Sequence, residues 1–311
     1  MANSNKQETE RWGKKIVDNR DWPLYNEQLV RRGEYFLDLD FVKGWDKELA
    51  VMNENKVGAP YHFPNSLIQL QAVWHAKKMP YRMIEGLTRK LVTIAELPDS
   101  NHYSTANRRI NKLSLRLELP ASNDLTLFAD GTSLRVVEGG EYLREKYGKK
   151  NRRWVQVVIW GDPVTKEPVD FEVNIVQSSE LDSAKRMLAG LVDKNLPITA
   201  AGGDGSFDEI DFWNWLDDKN IQSLIKPDCN ALTNTESELR NLAVAWRNRH
   251  GYKKWRKKTG YGERWVATEG IFSAIKTIFG EEIHARSEKG ILQEAKIKFW
   301  AYQKLKRYGK A

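Results

Sequence analysis

L-T-L-F-A-D-G-T-S-L-R-V-V, Leu125 to Val137, is two apolar-alternating runs meeting at Asp130-Gly131. Period-two alternation predicts strand on both sides of the acid. Asp-Gly between such runs is also the strongest short-range signal of a hairpin turn, so Asp130 is either a turn residue or a functional acid carried at the end of a strand. Two other stretches bear on that choice. A-A-G-G-D-G-S-F-D, Ala200 to Asp208, sets Asp204 among glycines that permit close approach of backbone or ligand, and a plain structural turn fits it equally well. E-G-I-F-S-A-I-K, Glu269 to Lys276, reads as helix. Ile271, Phe272, Ile275, Ile278 and Phe279 share one apolar face, while Glu269, Ser273 and Lys276 line the other, as an ordinary solvated stripe would.

Three carboxylates brought together repel one another and need divalent cations to offset the repulsion. That set, in the order strand-end Asp, later strand-end Asp, helical Glu, points to metal-assisted phosphodiester chemistry. The elements around it agree. W-V-Q-V-V-I-W-G-D and P-V-D-F-E-V-N-I-V predict strands with a turn at Asp162-Pro163, and residues 180–194 predict a helix leading to the strand I-T-A-A-G-G-D. Further helices are expected over 209–219, 235–246, 269–279 and 292–308, with I-Q-S-L-I-K-P as a strand. Three strands, a helix, a strand, then helices is the order of an α/β, ribonuclease-H-like mixed sheet flanked by helices. Asp208, one turn beyond Asp204, is expected to cap the helix that follows.

Upstream the texture is helical. Asn65 or Ser66 can cap a helix carrying Leu67, Leu70 and Trp74, broken at Lys78-Met79-Pro80; Ile84, Leu87, Leu91 and Ile94 mark a second. Ser104 can cap a third, short helix bearing Arg108, Arg109 and Lys112. This order suits a helix-turn-helix module with a basic last helix for a DNA groove, and a plain three-helix bundle has the same spacing. The chain is thus expected to divide into a flexible tail over 1–20, a small all-helical DNA-binding domain over 21–120 and a catalytic domain over 121–311.

Composition narrows the function classes. The formal charge of +8 favours an anionic partner. W-R-N-R-H-G-Y-K-K-W-R-K-K, Trp246 to Lys258, carries no acid, and R-E-K-Y-G-K-K-N-R-R, Arg144 to Arg153, carries only Glu145. Lys149, Lys150, Arg152, Arg153, Lys253, Lys254 and Arg256 in these runs are candidate phosphate contacts, although most charge runs are simply solvated faces. A single cysteine, Cys229, excludes an intrachain disulfide and a thiolate cluster, and the five histidines lack paired zinc spacing. No apolar stretch long enough to span a bilayer and no leader-like start is present, so a cytoplasmic, nucleoid-associated location is expected.

Read together, these segments resemble a DDE transposase of the bacterial and archaeal insertion-sequence-five family. F-A-D-G-T-S-L is similar to that family's first motif, N-R-R-W-V-Q-V-V-I-W-G-D to the strand that follows it, and A-A-G-G-D-G-S-F-D to the second-aspartate motif. The third motif of such proteins reads Tyr, two residues, Arg, three residues, Glu, six residues, Lys. Here two residues lie between Tyr261 and Arg264 and six between Glu269 and Lys276, but four residues, Trp265 to Thr268, separate Arg264 from Glu269. D-W-P-L-Y-N-E-Q-L-V-R-R-G also resembles the family's opening. The resemblance implies that Asp130, Asp204 and Glu269 hold two Mg²⁺ or Mn²⁺ ions, that Lys276 and Arg264 contact phosphate near them, and that the protein cuts at insertion-sequence ends. It further implies joining of the 3′-hydroxyl to target DNA, with double-stranded DNA (terminal inverted repeats and target) as partner and a homodimer on that DNA. A ribonuclease-H-like nuclease and an inactive DNA-binding regulator are the competing expectations.

Overall fold

The computed structural model describes residues 7–11, 14–18, 20–137, 153–175 and 178–310. Lys149, Lys150 and Arg152 lie outside them. Where the sequence predicts a flexible tail, Gln7–Arg11 (β1) and Lys14–Asp18 (β2) pair as an antiparallel two-stranded sheet.

The opening Asp-Trp-Pro forms the start of Trp22–Glu34 (α1): the Asp21 carboxylate accepts from the Leu24 N–H at 3.1 Å, and Pro23 occupies a first-turn position where no N–H is needed. Trp45–Asn53 (α2), Asn65–Ala76 (α3), Tyr81–Ile94 (α4) and Tyr103–Ile110 (α5) complete the helical region. Neither Asn65 nor Ser66 caps α3; Glu48 of α2 accepts from both the Ser66 N–H (3.0 Å) and its hydroxyl (2.6 Å). His102, not Ser104, caps α5. Leu67, Leu70 and Trp74 face Trp45, Ile84, Leu91 and Leu97, while Ile68, Ala72, Val73 and Ala76 of the same helix enter the core that lies against the sheet. An α3 apolar on both sides has no free face left, so it is the joint between the helical region and the rest. A buried Gln71–Thr88–Asn101 network fixes α3 against α4.

The main sheet comprises Leu125–Val136 (β3), Trp154–Asp162 (β4), Glu167–Asn174 (β5), Ile198–Gly202 (β6), Gln222–Ser223 (β7) and Glu282–Ile283 (β8). Its order is β5-β4-β3-β6-β7, with β8 also on β3; β4 is antiparallel to its neighbours, and β6, β7 and β8 join in parallel. β4 reads as a near-continuous apolar run because both of its faces are covered. Val155, Val157 and Ile159 meet Glu269–Phe279 (α11) and Glu288–Tyr308 (α12) on one side. Val158 and Trp160 meet Glu180–Asp193 (α6) and Ile210–Asp218 (α7) on the other. The expected strand I-Q-S-L-I-K-P is confined to β7. The buried Lys298 of α12 donates to the carbonyls of Gly280 (2.8 Å) and Glu282 (2.6 Å), and burial pulls its pKa down to about 8.

Between β7 and α11 stand Glu238–His250 (α8), Tyr252–Thr259 (α9) and Arg264–Ala267 (α10). Asp208 anchors this region and does not cap the helix that follows, whose N-cap is Glu209. Its carboxylate takes two 2.8 Å bonds from the Arg240 guanidinium and accepts from Trp213 Nε1 and the Asp228 N–H, each at 2.9 Å. Both partners are buried, so either one left alone would be an uncompensated charge. Asp208→Asn is expected to lower the unfolding free energy by about 3–5 kcal/mol in denaturant melts of the full chain. A loss of less than about 1 kcal/mol would show that the pair behaves like a surface one.

Candidate active site

β3 does not turn at Asp130-Gly131. It runs through them, with Asp130 opposite Ile159 and Gly131 opposite Val158 of β4, so the hairpin alternative is overturned. The apolar partners on β4 hold the strand straight where local sequence alone would permit a turn. On its other edge β3 pairs in parallel with β6 only as far as Phe128–Gly202, and β8 joins at Arg135–Glu282. Between those pairings the edge is open, and Asp130 and Asp204 each lie two residues beyond the last β3–β6 pair. Ligand sites form where parallel strands end in this way, outside their carboxyl ends.

Glu269 is the first residue of α11, and α11 reaches the sheet because Gly161 of β4 has no side chain. A Cβ there would collide with the Ala267 carbonyl and touch the Ile271 side chain. Arg264 projects from α10 to bridge the two acids. Its guanidinium donates to Asp130 Oδ2 at 2.7 Å and to Glu269 Oε1 at 3.1 Å. The additional residue between Arg264 and Glu269 therefore does not carry the arginine away from the acids. Asp204 accepts from the Ser206 N–H (2.9 Å) and hydroxyl (2.5 Å), and its charge is felt by Asp130, Arg264 and Glu180.

Burial raises the Asp130 pKa; Arg264 and the Gly131 N–H oppose the shift, and Asp204 adds to it. Glu180 is raised by burial and then by Asp130 and Asp204. Burial lowers Arg264, but the charges of Tyr261, Asp130, Asp204 and Glu269 outweigh it and hold the guanidinium above its usual pKa. Tyr261 is pushed up to about 12, mainly by burial. Thus the pocket draws acids together around one arginine. Among the described residues no three Asp, Glu, His or Cys side chains are gathered closely enough to hold one ion between them.

The other expected residues are spread around this centre. Lys276 lies two turns along α11 and approaches Glu281 at 3.9 Å, in a groove with Lys78, Ser273 and Glu282. Lys253, Lys254 and Arg256 are exposed on α9, whose Trp255 is buried beside Phe128, Tyr261 and Ala267. The basic helix is therefore rooted two residues from Asp130. Arg108 is exposed on the last turn of α5, Lys112 is exposed two residues beyond the helix rather than on it, and Arg153 is exposed just ahead of β4. Arg109 is turned inward, donating to the Phe63 carbonyl (3.1 Å) and Asn65 Oδ1 (2.8 Å) with its guanidinium over the Tyr61 ring. Those bonds fasten α5 to the start of α3 and take Arg109 out of the exposed basic set. Sequence reasoning missed Glu180, Gln156 and Thr268 at the site. An acid following a Ser cap is the ordinary start of a helix, so Glu180 carried no distinguishing local signal.

Residues 122–303, more than half of the chain, match a family model described as a transposase DDE domain. A second model with the same description matches residues 30–139. The bridge between Asp130 and Glu269 has a direct test. Arg264→Gln, melted in chelator, is expected to lose about 1.5–3 kcal/mol of stability, the usual worth of a hydrogen bond to a charged group. An unchanged melt would show that the arginine contributes nothing to holding the acids.

Proposed function

The chain belongs to the transposase DDE-domain family, and from that premise we propose that it cuts DNA at the ends of an insertion sequence and joins the freed 3′-hydroxyl to target DNA. The observation that carries the proposal is the β3–β6 register, which brings Asp130 and Asp204 out at one level beside an α11 that begins with Glu269. As a transposase the protein is a nucleic-acid-processing enzyme, and its family works with divalent metal ions. No helix among the described residues is long and apolar enough to cross a membrane.

The donors fit hard cations: they are all carboxylate oxygens, and the Arg264 guanidinium stands in for positive charge between two of them. Asp130, Asp204 and Glu269 would hold two Mg²⁺ or Mn²⁺ ions. Bound there, such ions supply activation of a water or 3′-hydroxyl and charge stabilisation at the leaving oxygen of an in-line displacement. The protein's own part is positioning. β3 fixes Asp130, the Ser206 turn orients Asp204, and the Gly161 contact sets the height of Glu269 above the sheet. Arg264, planar and always charged, turns from the acids to a DNA phosphate, and Lys276 contacts the backbone farther along α11. Exposed Lys253, Lys254 and Arg256 track one strand, and the exposed Arg153 is a further phosphate contact. Arg108 on α5 and Lys112 just beyond it bind the end sequence, and two copies of the chain hold two ends.

Asp130→Asn, Asp204→Asn and Glu269→Gln each keep shape and remove charge, so each is expected to abolish Mg²⁺-dependent cleavage of terminal-repeat DNA while binding persists. Retained cleavage in any one removes that residue from the site. A product that is cut but never joined would make the protein a nuclease on the same fold. For the exposed cations, Lys253→Ala with Lys254→Ala and Arg256→Ala is expected to flatten the dependence of log affinity on log salt by roughly 2–3 units, about one for each phosphate no longer neutralised. Arg108→Ala with Lys112→Ala is expected to flatten it by roughly 2 by the same arithmetic. An unchanged slope in either set assigns that set to the solvated surface.

A further inference from the structure

Glu180 opens α6 on the side of the sheet opposite α11, and its carboxylate reaches β3 at the residue that follows Asp130. It lies where a Cβ on Gly131 would stand, directly against the residue that follows Asp130. Any side chain at 131 would displace it. Gln156, buried on β4, secures this placement. Its amide nitrogen donates to Glu180 Oε1 at 3.2 Å, while its amide oxygen accepts from the Ser178 N–H at 3.1 Å, so the entry of α6 is tied to β4 on both sides of the Ser179 cap. The charges of Asp130 and Asp204 both act on Glu180. Among the described residues no cation pairs with it, whereas Asp130 and Glu269 share Arg264. A half-buried carboxylate, held by a dedicated amide within electrostatic reach of two other acids, gains nothing from that position unless positive charge enters among them.

We propose that Glu180 is a fourth carboxylate of the cation site, reaching the open edge of β3 from the α6 side while Asp130 reaches it from the α11 side. The inference rests on the metal-dependent reading above and deepens it. Two acids are drawn to Arg264 on the α11 side, and a different pair, Asp130 with Glu180, flanks Gly131. Gly131 is required for the second arrangement, which gives the small residue after the first aspartate a physical role beyond that of a turn. Gln156 is then a positioning residue, acting through Glu180.

The test is Mn²⁺ binding to the full-length chain without DNA, followed by the electron paramagnetic resonance signal of free Mn²⁺. Glu180→Gln, isosteric and uncharged, is expected to weaken binding about 10–100-fold, the range seen when groups supporting a metal site are removed. Gly131→Ala is expected to weaken it in the same direction by displacing the carboxylate, and Glu180→Asp to recover part of the loss. Asp182→Asn, which removes an exposed charge two residues along α6, controls for net charge and is expected to change affinity less than about twofold. Thermal melts establish that each variant is folded. If Asp130→Asn weakens Mn²⁺ binding and Glu180→Gln leaves it unchanged or tightens it, the role of Glu180 is overturned and the three-acid reading stands. If the unaltered chain binds no Mn²⁺ and Asp130→Asn changes nothing, both fall.

Discussion

Phe128 and Gly202 are the last pair of the parallel β3–β6 ladder, and the site depends on that register. Two residues farther along each chain come Asp130 and Asp204, so acids 74 positions apart leave the sheet at the same level. A slip of one residue would also turn the β3 side chains to the opposite face, because the period of a strand is two. What resists the slip is the packing on both faces. Leu125, Leu127 and Ala129 lock into the α6–α7 side, and Leu134 and Val136 into the α11–α12 side. The pocket's polar residues are therefore placed by apolar ones.

Charge organises what the sheet brings together. Asp130 is largely buried, which raises its pKa, and Arg264 supplies the compensating charge. The same guanidinium holds Glu269, so one side chain links strand and helix across the edge where the ladder is open. Glycine provides the room. Without Gly161 the start of α11 would ride too far from β4, and without Gly131 the Glu180 carboxylate would have no place beside Asp130. At both positions an absent side chain lets polar groups from another element approach the strand.

The electropositive region is built into the same core. Trp255 sinks beside Phe128 and Tyr261 while Lys253, Lys254 and Arg256 stay in solvent, so α9 is amphipathic in a literal sense: an aromatic root and a cationic face. Asp208 and Arg240 pin the preceding helix, α8, to the start of α7. A long segment between the second and third acids thus remains part of one packed body, with its cations fixed relative to the pocket. α3 does the same for the helical region, because its two faces belong to two different cores.

Much of this was legible in the chain itself. The period-two runs predicted β3 and β4, the apolar face of Glu269–Phe279 predicted α11 to its ends, and the spacing of Asp130, Asp204 and Glu269 among those elements carried the family resemblance. These features are local, set by periodicity over a few residues, and need no knowledge of what they pack against. What the sequence could not decide is which polar groups meet. Asp130-Gly131 reads as a turn until β4 is laid beside it, Asp208 as a cap until Arg240 arrives from 32 residues away, Arg109 as a DNA contact until Phe63 and Asn65 claim it, and Glu180 as the plain first residue of a helix. Each of those outcomes depends on a partner distant in sequence. Only tertiary packing, by closing the chain around one buried acid, determines whether a given charge is exposed, paired or drawn into the site.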